Sequence, residues 1–549
     1  MKLSEMFKKY TWEIALFLLF CTGTIALSFF HEPWYDEFQA WAIAKSSLHD
    51  VLFFLPHYEG HPPLWHLILK LFQHFTTNPE LVVKIPNLMI MFTAVWLLIF
   101  KSPFSRKIRL ILPFTFFIFY QYTIISRPYC LLVLGLFLAA TLYKSKNEHP
   151  FKFISTLILL SLSSAYGVVL ATGITLAWVV EIWNKQNFKT FLLNFLKDKR
   201  FYAMLILFFV CLGITYLCIP YSKSHVTSCL PLIPAWERII YIAFGLSADA
   251  TAFNIFDYNN SWNESIFSNI YVFGSIFGAY IIFLMIKIFK ENKSLPLFLM
   301  TFIPLTISYY FYVWPYHIGI MYILFVFCFW CMFNSTNFNT QYVFPKPTKT
   351  VLLFIFITQV FWSVCSAYRE IVYDYAMSRP ISNYIKENNL TRYKLLSPWA
   401  ESIKLIDKNG KETPIYFMTK NAYKMKDYEI KTDINTEHQW IAVIVNPYFG
   451  KNIFYNFHVD KLNMLYNAHL PQTPEEGEKV FRKWEKLGKP DLVLGHVYVW
   501  KIWKDYYPEF VPLKSFKSGY IWKDTYSINE VELYVDKNRM KELNIRPKD

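Results

Sequence analysis

Residues 62–75 read Pro62-Pro-Leu-Trp-His-Leu-Ile-Leu-Lys-Leu-Phe-Gln-His-Phe75, an apolar run carrying His66, Lys70, Gln73 and His74. Whether this run crosses a bilayer decides the topology of everything after it. It is shorter than the roughly 20 residues a straight span needs. The charges around it settle the matter. Basic residues cluster in five loops: Lys101, Arg106, Lys107 and Arg109; Lys144, Lys146 and Lys152; Lys185, Lys189, Lys197, Lys199 and Arg200; Lys287, Lys290 and Lys293; Lys346 and Lys349. Placing all five on the cytoplasmic side satisfies the positive-inside rule. Residues 1–11 and 101–109 then lie on one side, so an even number of crossings separates them. The runs 12–30 and 82–100 supply two. The run 62–75 therefore lies along the outer interface as an amphipathic helix, and residues 31–81 form one large external loop.

Composition agrees with a membrane class. The 549 residues are 54% hydrophobic and 17% charged, against about 25% charged in soluble proteins. Aromatic residues reach 20%, which suits interfacial Tyr and Trp belts. The net charge of +15 is carried by loops facing anionic headgroups. No basic stripe lies on a soluble domain, which argues against nucleic-acid binding. Residues 12–30 follow Lys8-Lys9 and lack a small-residue cleavage site, so they read as a signal anchor rather than a removed leader. Seven of eight cysteines fall in apolar stretches, and Cys328-Phe-Trp-Cys331 reads as packing.

Further apolar runs cover about 110–125, 128–143, 153–166, 168–183, 201–219, 264–289, 295–313, 318–334 and 350–368. Residues 110–143 and 153–183 are expected to form tight helical hairpins. The total is about eleven spans, an odd number, which places the C-terminal part outside. The tips Ser126-Arg127-Pro128-Tyr129 and Trp314-Pro-Tyr-His317, and the loop 220–263, fall on the same side. From about 370 the pattern changes. Arg379–Asn389 reads as a helix. Ile415–Met418, Trp440–Val445, Leu492–Tyr498 and Glu530–Val535 read as strands. The expected fold is thus a polytopic α-helical membrane protein of about eleven spans over residues 1–369. A C-terminal α/β soluble domain follows over 370–549.

Two polar clusters occupy the external loop: His31-Glu-Pro-Trp-Tyr-Asp-Glu-Phe-Gln-Ala-Trp41 and His57-Tyr-Glu-Gly-His-Pro-Pro-Leu-Trp65. Ionisable residues at a membrane are costly unless used. The candidates are the carboxylates Asp36, Glu37 and Glu59, with Tyr58 and His61 beside them. The candidate cations are Lys84, Arg127 and His317, with Tyr129 next to Arg127. Carboxylates that take a proton from a hydroxyl, with cations that stabilise a departing phosphate, suit group transfer from a phosphate. In a membrane that phosphate points to a lipid. Each residue also has a structural role open to it. Asp36-Glu37 favour a helix N-terminus, Lys84 and Arg127 can snorkel to headgroups, and Pro62-Pro63 suit a first helical turn. His57, Glu59 and His61 stand at alternating positions that a divalent metal would accept. No cofactor is otherwise indicated.

Asp36-Glu37 in the first outer loop, then His61-Pro-Pro-Leu64, then Lys84-Ile-Pro-Asn87, together with Ser126-Arg127-Pro-Tyr129, resemble the GT-C membrane glycosyltransferases. The likeness is to the branch of protein O-mannosyltransferases and bacterial aminoarabinose transferases, over roughly residues 10–145. The resemblance implies a polyprenyl-phosphate sugar donor, inversion at the sugar carbon, and a site on the outer face of a bacterial cytoplasmic membrane. The C-terminal domain would be extracytoplasmic. Asp36 matches the family's base, with Glu37 beside it, and Arg127 and Lys84 match its phosphate contacts. The acceptor would be a lipid, a glycan or a protein. Lys84 stands where relatives often carry arginine, which removes the bidentate fork. The late loop has no arginine next to His317. Two rival readings differ in class. A transporter or lipid-linked glycan flippase needs ionisable residues along a path through the bilayer, whereas here they gather at outer ends. An inactive envelope subunit would have no need of the intact Asp36-Glu37 and His61-Pro-Pro.

Overall fold

A computed structural model describes residues 3–183, 187–219, 235–251, 271–313, 315–335, 342–397, 402–406, 412–415, 429–433, 440–454, 489–496, 508–517 and 530–540. The helices are α1 (Leu3–Phe30), α2 (Tyr35–Lys45), α3 (Pro56–Glu59), α4 (Leu64–Phe72), α5 (Pro79–Lys101), α6 (Arg106–Ile111), α7 (Tyr129–Leu142), α8 (Pro150–Ser161), α9 (Ala165–Trp183), α10 (Phe188–Phe195) and α11 (Lys199–Cys218). They continue with α12 (Ala235–Ile240), α13 (Leu246–Asp249), α14 (Tyr271–Glu291), α15 (Leu295–Phe311), α16 (Gly319–Asn334), α17 (Lys346–Val372), α18 (Ser378–Glu387) and α19 (Trp440–Val445). The strands are β1 (Leu395–Leu396), β2 (Ser402–Ile406), β3 (Glu412–Ile415), β4 (Glu429–Asp433), β5 (Leu492–His496), β6 (Phe510–Lys517) and β7 (Glu530–Asp536).

Among the described residues six helices are long and apolar enough to cross a membrane, lying in α1, α5, α9, α11, α14 and α17. Four shorter apolar helices accompany them: α7, α8, α15 and α16. The chain is therefore mostly helical and membrane-embedded, with small sheets toward its C-terminus. The run 110–125 departs from expectation, because it is not a continuous helix. It breaks into α6, a 3-10 turn at Leu112–Phe114 and a π turn at Phe117–Gln121. Pro113 has no N–H to give the helical ladder, which accounts for the break. The helix over 62–75 is short: the nine residues of α4 reach about 14 Å, well under the roughly 30 Å hydrocarbon core.

The chain divides into two compact units. The first comprises Met1–Phe30, His49–Ile68 and Lys84–Tyr368. Its centre is α16, where residues 319–328 and 330–332 are all buried, as expected of a helix apolar on every side. α7 packs on α16 and on α8. α8 and α9 form a hairpin closed by residues 162–164, and α9 runs against α15. Gly173 permits that last approach, since a Cβ there would stand 2.2 Å from the Met300 carbonyl oxygen. Small residues at helix contacts serve this purpose in membranes. Cys328 and Cys331 are fully buried in α16, as packing residues would be.

The second unit comprises His31–Leu48, Leu69–Val83 and Arg369–Asp549. A four-stranded sheet runs in the order β1-β5-β7-β6, parallel at β1–β5 and antiparallel elsewhere, and a three-stranded antiparallel sheet has the order β3-β2-β4. The expected strands at Leu492–Tyr498 and Glu530–Val535 correspond to β5 and β7: Leu492, Val493 and Leu494 of β5 and the alternating Val531, Leu533 and Val535 of β7 are fully buried. Residues 416–418 of the expected strand at 415–418 lie outside the described residues. The expected strand at Trp440–Val445 is a helix, α19, lying against α2 and α18. Ile441, Ala442, Ile444 and Val445 are buried within 1% of full burial. A short run buried on all sides has no periodicity to declare its state, and packing overrides its β-branched preference. α2 is itself buried along residues 38–44. Its C-terminus is held by Lys70, whose ammonium donates to the carbonyls of Ala44 (3.2 Å) and Ser46 (2.7 Å), a favourable place for a cation.

Candidate functional site

In the second unit, Asp36 and Glu37 occupy the first turn of α2, and the two carboxylates have different surroundings. Glu37 is completely buried. Its Oε2 accepts the Trp34 N–H at 3.0 Å, closing the helix start as in a capping box. The same oxygen lies 2.9 Å from Nε2 of His31. The other ring nitrogen of His31 lies 2.9 Å from Oε1 of Glu370, in the last turn of α17. All three side chains have no exposed surface. Burial alone would lower the His31 pKa, but the charges and hydrogen bonds of Glu37 and Glu370 outweigh it and raise it to about 9. His31 is thus an imidazolium that donates from both nitrogens, one to each carboxylate. Asp36, one residue earlier, is half-buried rather than sealed.

Neighbouring groups brace the same segment. Arg379 grips Glu80 with two parallel bonds (3.0 and 2.8 Å) and donates to the His31 carbonyl at 3.2 Å. Tyr448 donates to Glu80 at 2.8 Å, and the Tyr375 ring lies 5.0 Å from that of His31. Glu32 accepts the Ala376 N–H at 3.2 Å. Burial, then the charge of Asp374, push its pKa up to about 7, against the lowering pull of Arg379. None of Glu32, Glu80, Glu370, Arg379 and Tyr448 was marked by the sequence. Their partners lie up to 368 positions away, beyond any local pattern.

In the first unit, the expected cations and aromatic residues gather around the turn leading into α7. Asn87 is fully buried and donates to the carbonyls of Tyr122 (3.1 Å) and Thr123 (2.8 Å), tying α5 to that turn. Lys84, three residues earlier on the same helical face, is 6% exposed. Arg127 is half-buried. Beside it His66 is buried, and burial, followed by the Arg127 charge, drives its pKa down to about 3. His66 is therefore a neutral imidazole, an unanticipated member of the group. Tyr129 is buried, with the rings of His61 (6.1 Å) and His317 (5.5 Å) edge-on to it. His317 is further framed by Tyr166, Tyr312 and Tyr316. Its Nδ1 stands 3.1 Å from the Tyr166 hydroxyl, and its carbonyl accepts the Tyr309 hydroxyl at 2.8 Å. Replacing Asn87 with Leu is expected to strand two buried carbonyls and lower thermal stability by about 1–3 kcal/mol. Thermal unfolding in detergent measures this.

The structure thus brings His61, Arg127, Tyr129 and His317 together in one unit, with Lys84 on the helix tied to their turn. Asp36 and Glu37 belong to the other. Glu59 ends α3, where Gly60 turns the chain with φ +64°. The Tyr58 side chain, Trp314 and most of the loop 220–263 lie outside the described residues. The metal set suggested by His57, Glu59 and His61 does not assemble. His57 points to the Ile219 carbonyl (2.8 Å) and the Tyr216 ring, while His61 turns to Tyr129. The left-handed Gly60 separates their directions. Among the described residues no three His, Cys, Asp or Glu side chains lie together in a metal-holding group. No family model matches the chain, and no curated protein matches it either.

Proposed function

We propose that the chain is a GT-C-type membrane glycosyltransferase, moving a sugar from a polyprenyl-phosphate carrier to an acceptor hydroxyl at the outer face of a bacterial cytoplasmic membrane. In this reading about eleven segments cross the bilayer. They are the six long and four short apolar helices and the broken stretch 110–125, and the C-terminal part lies outside. The observation that carries the proposal is the unequal treatment of the carboxylate pair. Glu37 is locked into a buried ion network that fixes the start of α2, and Asp36 is left half-buried on that fixed turn. A carboxylate held by rigid neighbours is what a positioned base requires.

Asp36 takes the acceptor proton as the oxygen attacks the sugar carbon from the side opposite the phosphate. The bond between that carbon and the phosphate oxygen breaks, inverting the carbon and releasing polyprenyl phosphate. Positive charge grows on the sugar during the step, and a carboxylate stabilises it. Arg127 and Lys84 take the phosphate charge. Tyr58, Glu59, His61, Tyr129 and His317 are assigned to binding of sugar and acceptor. The acceptor is a lipid, glycan or protein hydroxyl. Membranes containing the chain are expected to release polyprenyl phosphate from a matching polyprenyl-phosphate sugar, and membranes lacking it are not. Arg127→Gln should cut transfer at limiting donor at least tenfold, read by chromatography of the released lipid. Unchanged donor dependence in that variant removes Arg127 from the phosphate contacts.

A further inference from the structure

The first unit holds an apolar cavity of about 100 Å³ at the end of the helices where the basic residues gather. It is lined near that end by Phe104, Phe333 of α16, Phe344 just before α17 and Val351 of α17, and deeper by Tyr322 of α16 and Phe356 of α17. Tyr322 and Phe356 stand ten or more residues from those helix ends, so the cavity runs inward from the leaflet boundary by about 15 Å, the reach of a hydrocarbon chain. Exposed cations stand on the helix ends that line it: Arg106 and Lys107 on α6, Lys287 and Lys290 on α14, Lys346 and Lys349 on α17. Of the acids nearby, Glu13 is paired with Arg109 and Glu291 with Tyr342.

Two cation–aromatic pairs mark the headgroup level. Arg106 lies over the Trp12 ring at 5.2 Å, and Lys101 lies over Trp96 at 5.5 Å. Trp is the residue that settles at a membrane–water boundary. An apolar cavity of this size offers water no hydrogen-bond partners, and a helix about 10 Å wide does not enter it. A single hydrocarbon chain does. We infer that this cavity binds one acyl chain of an anionic phospholipid whose phosphate rests on those lysines and arginines. The site is separate from the groups assigned to sugar transfer and does not depend on that assignment.

The test uses the full-length protein purified in mild detergent, read by native mass spectrometry. Phosphatidylglycerol, phosphatidylethanolamine with the same acyl chains, and undecaprenyl phosphate are added in parallel. Phosphatidylglycerol should be retained at least tenfold more than phosphatidylethanolamine, and more than undecaprenyl phosphate. A triple variant at exposed positions, Arg106→Gln with Lys290→Gln and Lys349→Gln, should lose that preference while keeping the wild-type unfolding temperature. Val351→Phe, which fills the cavity, should reduce retention of both phospholipids. Equal retention of the two phospholipids by the wild type overturns the proposal. So does phosphatidylglycerol binding that neither variant alters. Stronger retention of undecaprenyl phosphate overturns it as well and assigns the cavity to a polyprenyl chain.

Discussion

Asp36→Asn is expected to reduce sugar transfer by about 10²–10⁴-fold, the usual contribution of a positioned general base, while the protein inserts and folds as the wild type does. Asparagine keeps the size and the helix-start polarity of aspartate but cannot accept the acceptor proton. Asp36 is half-buried where Glu37 is fully buried, and the substitution keeps its size and a side-chain oxygen, so the cost in stability should stay at about 1 kcal/mol. Glu37→Gln should behave in the opposite sense, losing stability first and transfer only as a consequence. Transfer assays paired with thermal unfolding separate the two variants. Full transfer by Asp36→Asn would remove the base from the mechanism.

His31→Gln should be among the most damaging single substitutions outside the helices that span the bilayer. It leaves Glu37 and Glu370 buried without the cation between them, a situation that typically costs about 3–5 kcal/mol. The wild type should also show a pH signature. The His31 pKa rises from 6.5 to about 9 on folding, so its contribution is complete below pH 6.5 and is lost as pH rises through 9. Glu32, raised from 4.5 to about 7, acts with the same sign at lower pH: its contribution is complete below 4.5 and fades as pH rises through 7. Thermal stability should therefore fall between pH 6.5 and 9.5 by on the order of 3 kcal/mol from His31 alone. His31→Gln should lack that decline. A variant as stable as the wild type at pH 7, with an unchanged pH profile, contradicts the network's role.

Local pattern carried much of this in the sequence. The membrane class followed from composition and from long apolar runs that became α1, α5, α9, α11, α14 and α17. The shortness of 62–75 was visible, as was the acidic start of α2. Amphipathic spacing marked α18, a short apolar run marked β5, and alternation marked β7. What failed was either short or distant. Trp440–Val445 is six residues long, and residues 441–445 are all buried, so its β-branched side chains misled. Pro113 sits inside an apolar run whose hydropathy hides the break it makes. His57 and His61 were close in sequence, but the left-handed turn at Gly60 sends them to different neighbours. The joining of His31 to Glu370 spans 339 positions, and nothing near either residue announces the other. His66 looked like an interfacial polar residue and is instead a buried neutral imidazole beside Arg127.

The central claim is transfer of a sugar from a lipid phosphate, and mass spectrometry of envelope glycans tests it most directly. Cells lacking the chain are compared with cells restored by the wild type and by Asp36→Asn. The account predicts one sugar of defined mass missing from a lipid, glycan or protein in the deletion. That sugar should return with the wild type and remain missing with Asp36→Asn. Envelope glycans identical in all three strains would contradict it.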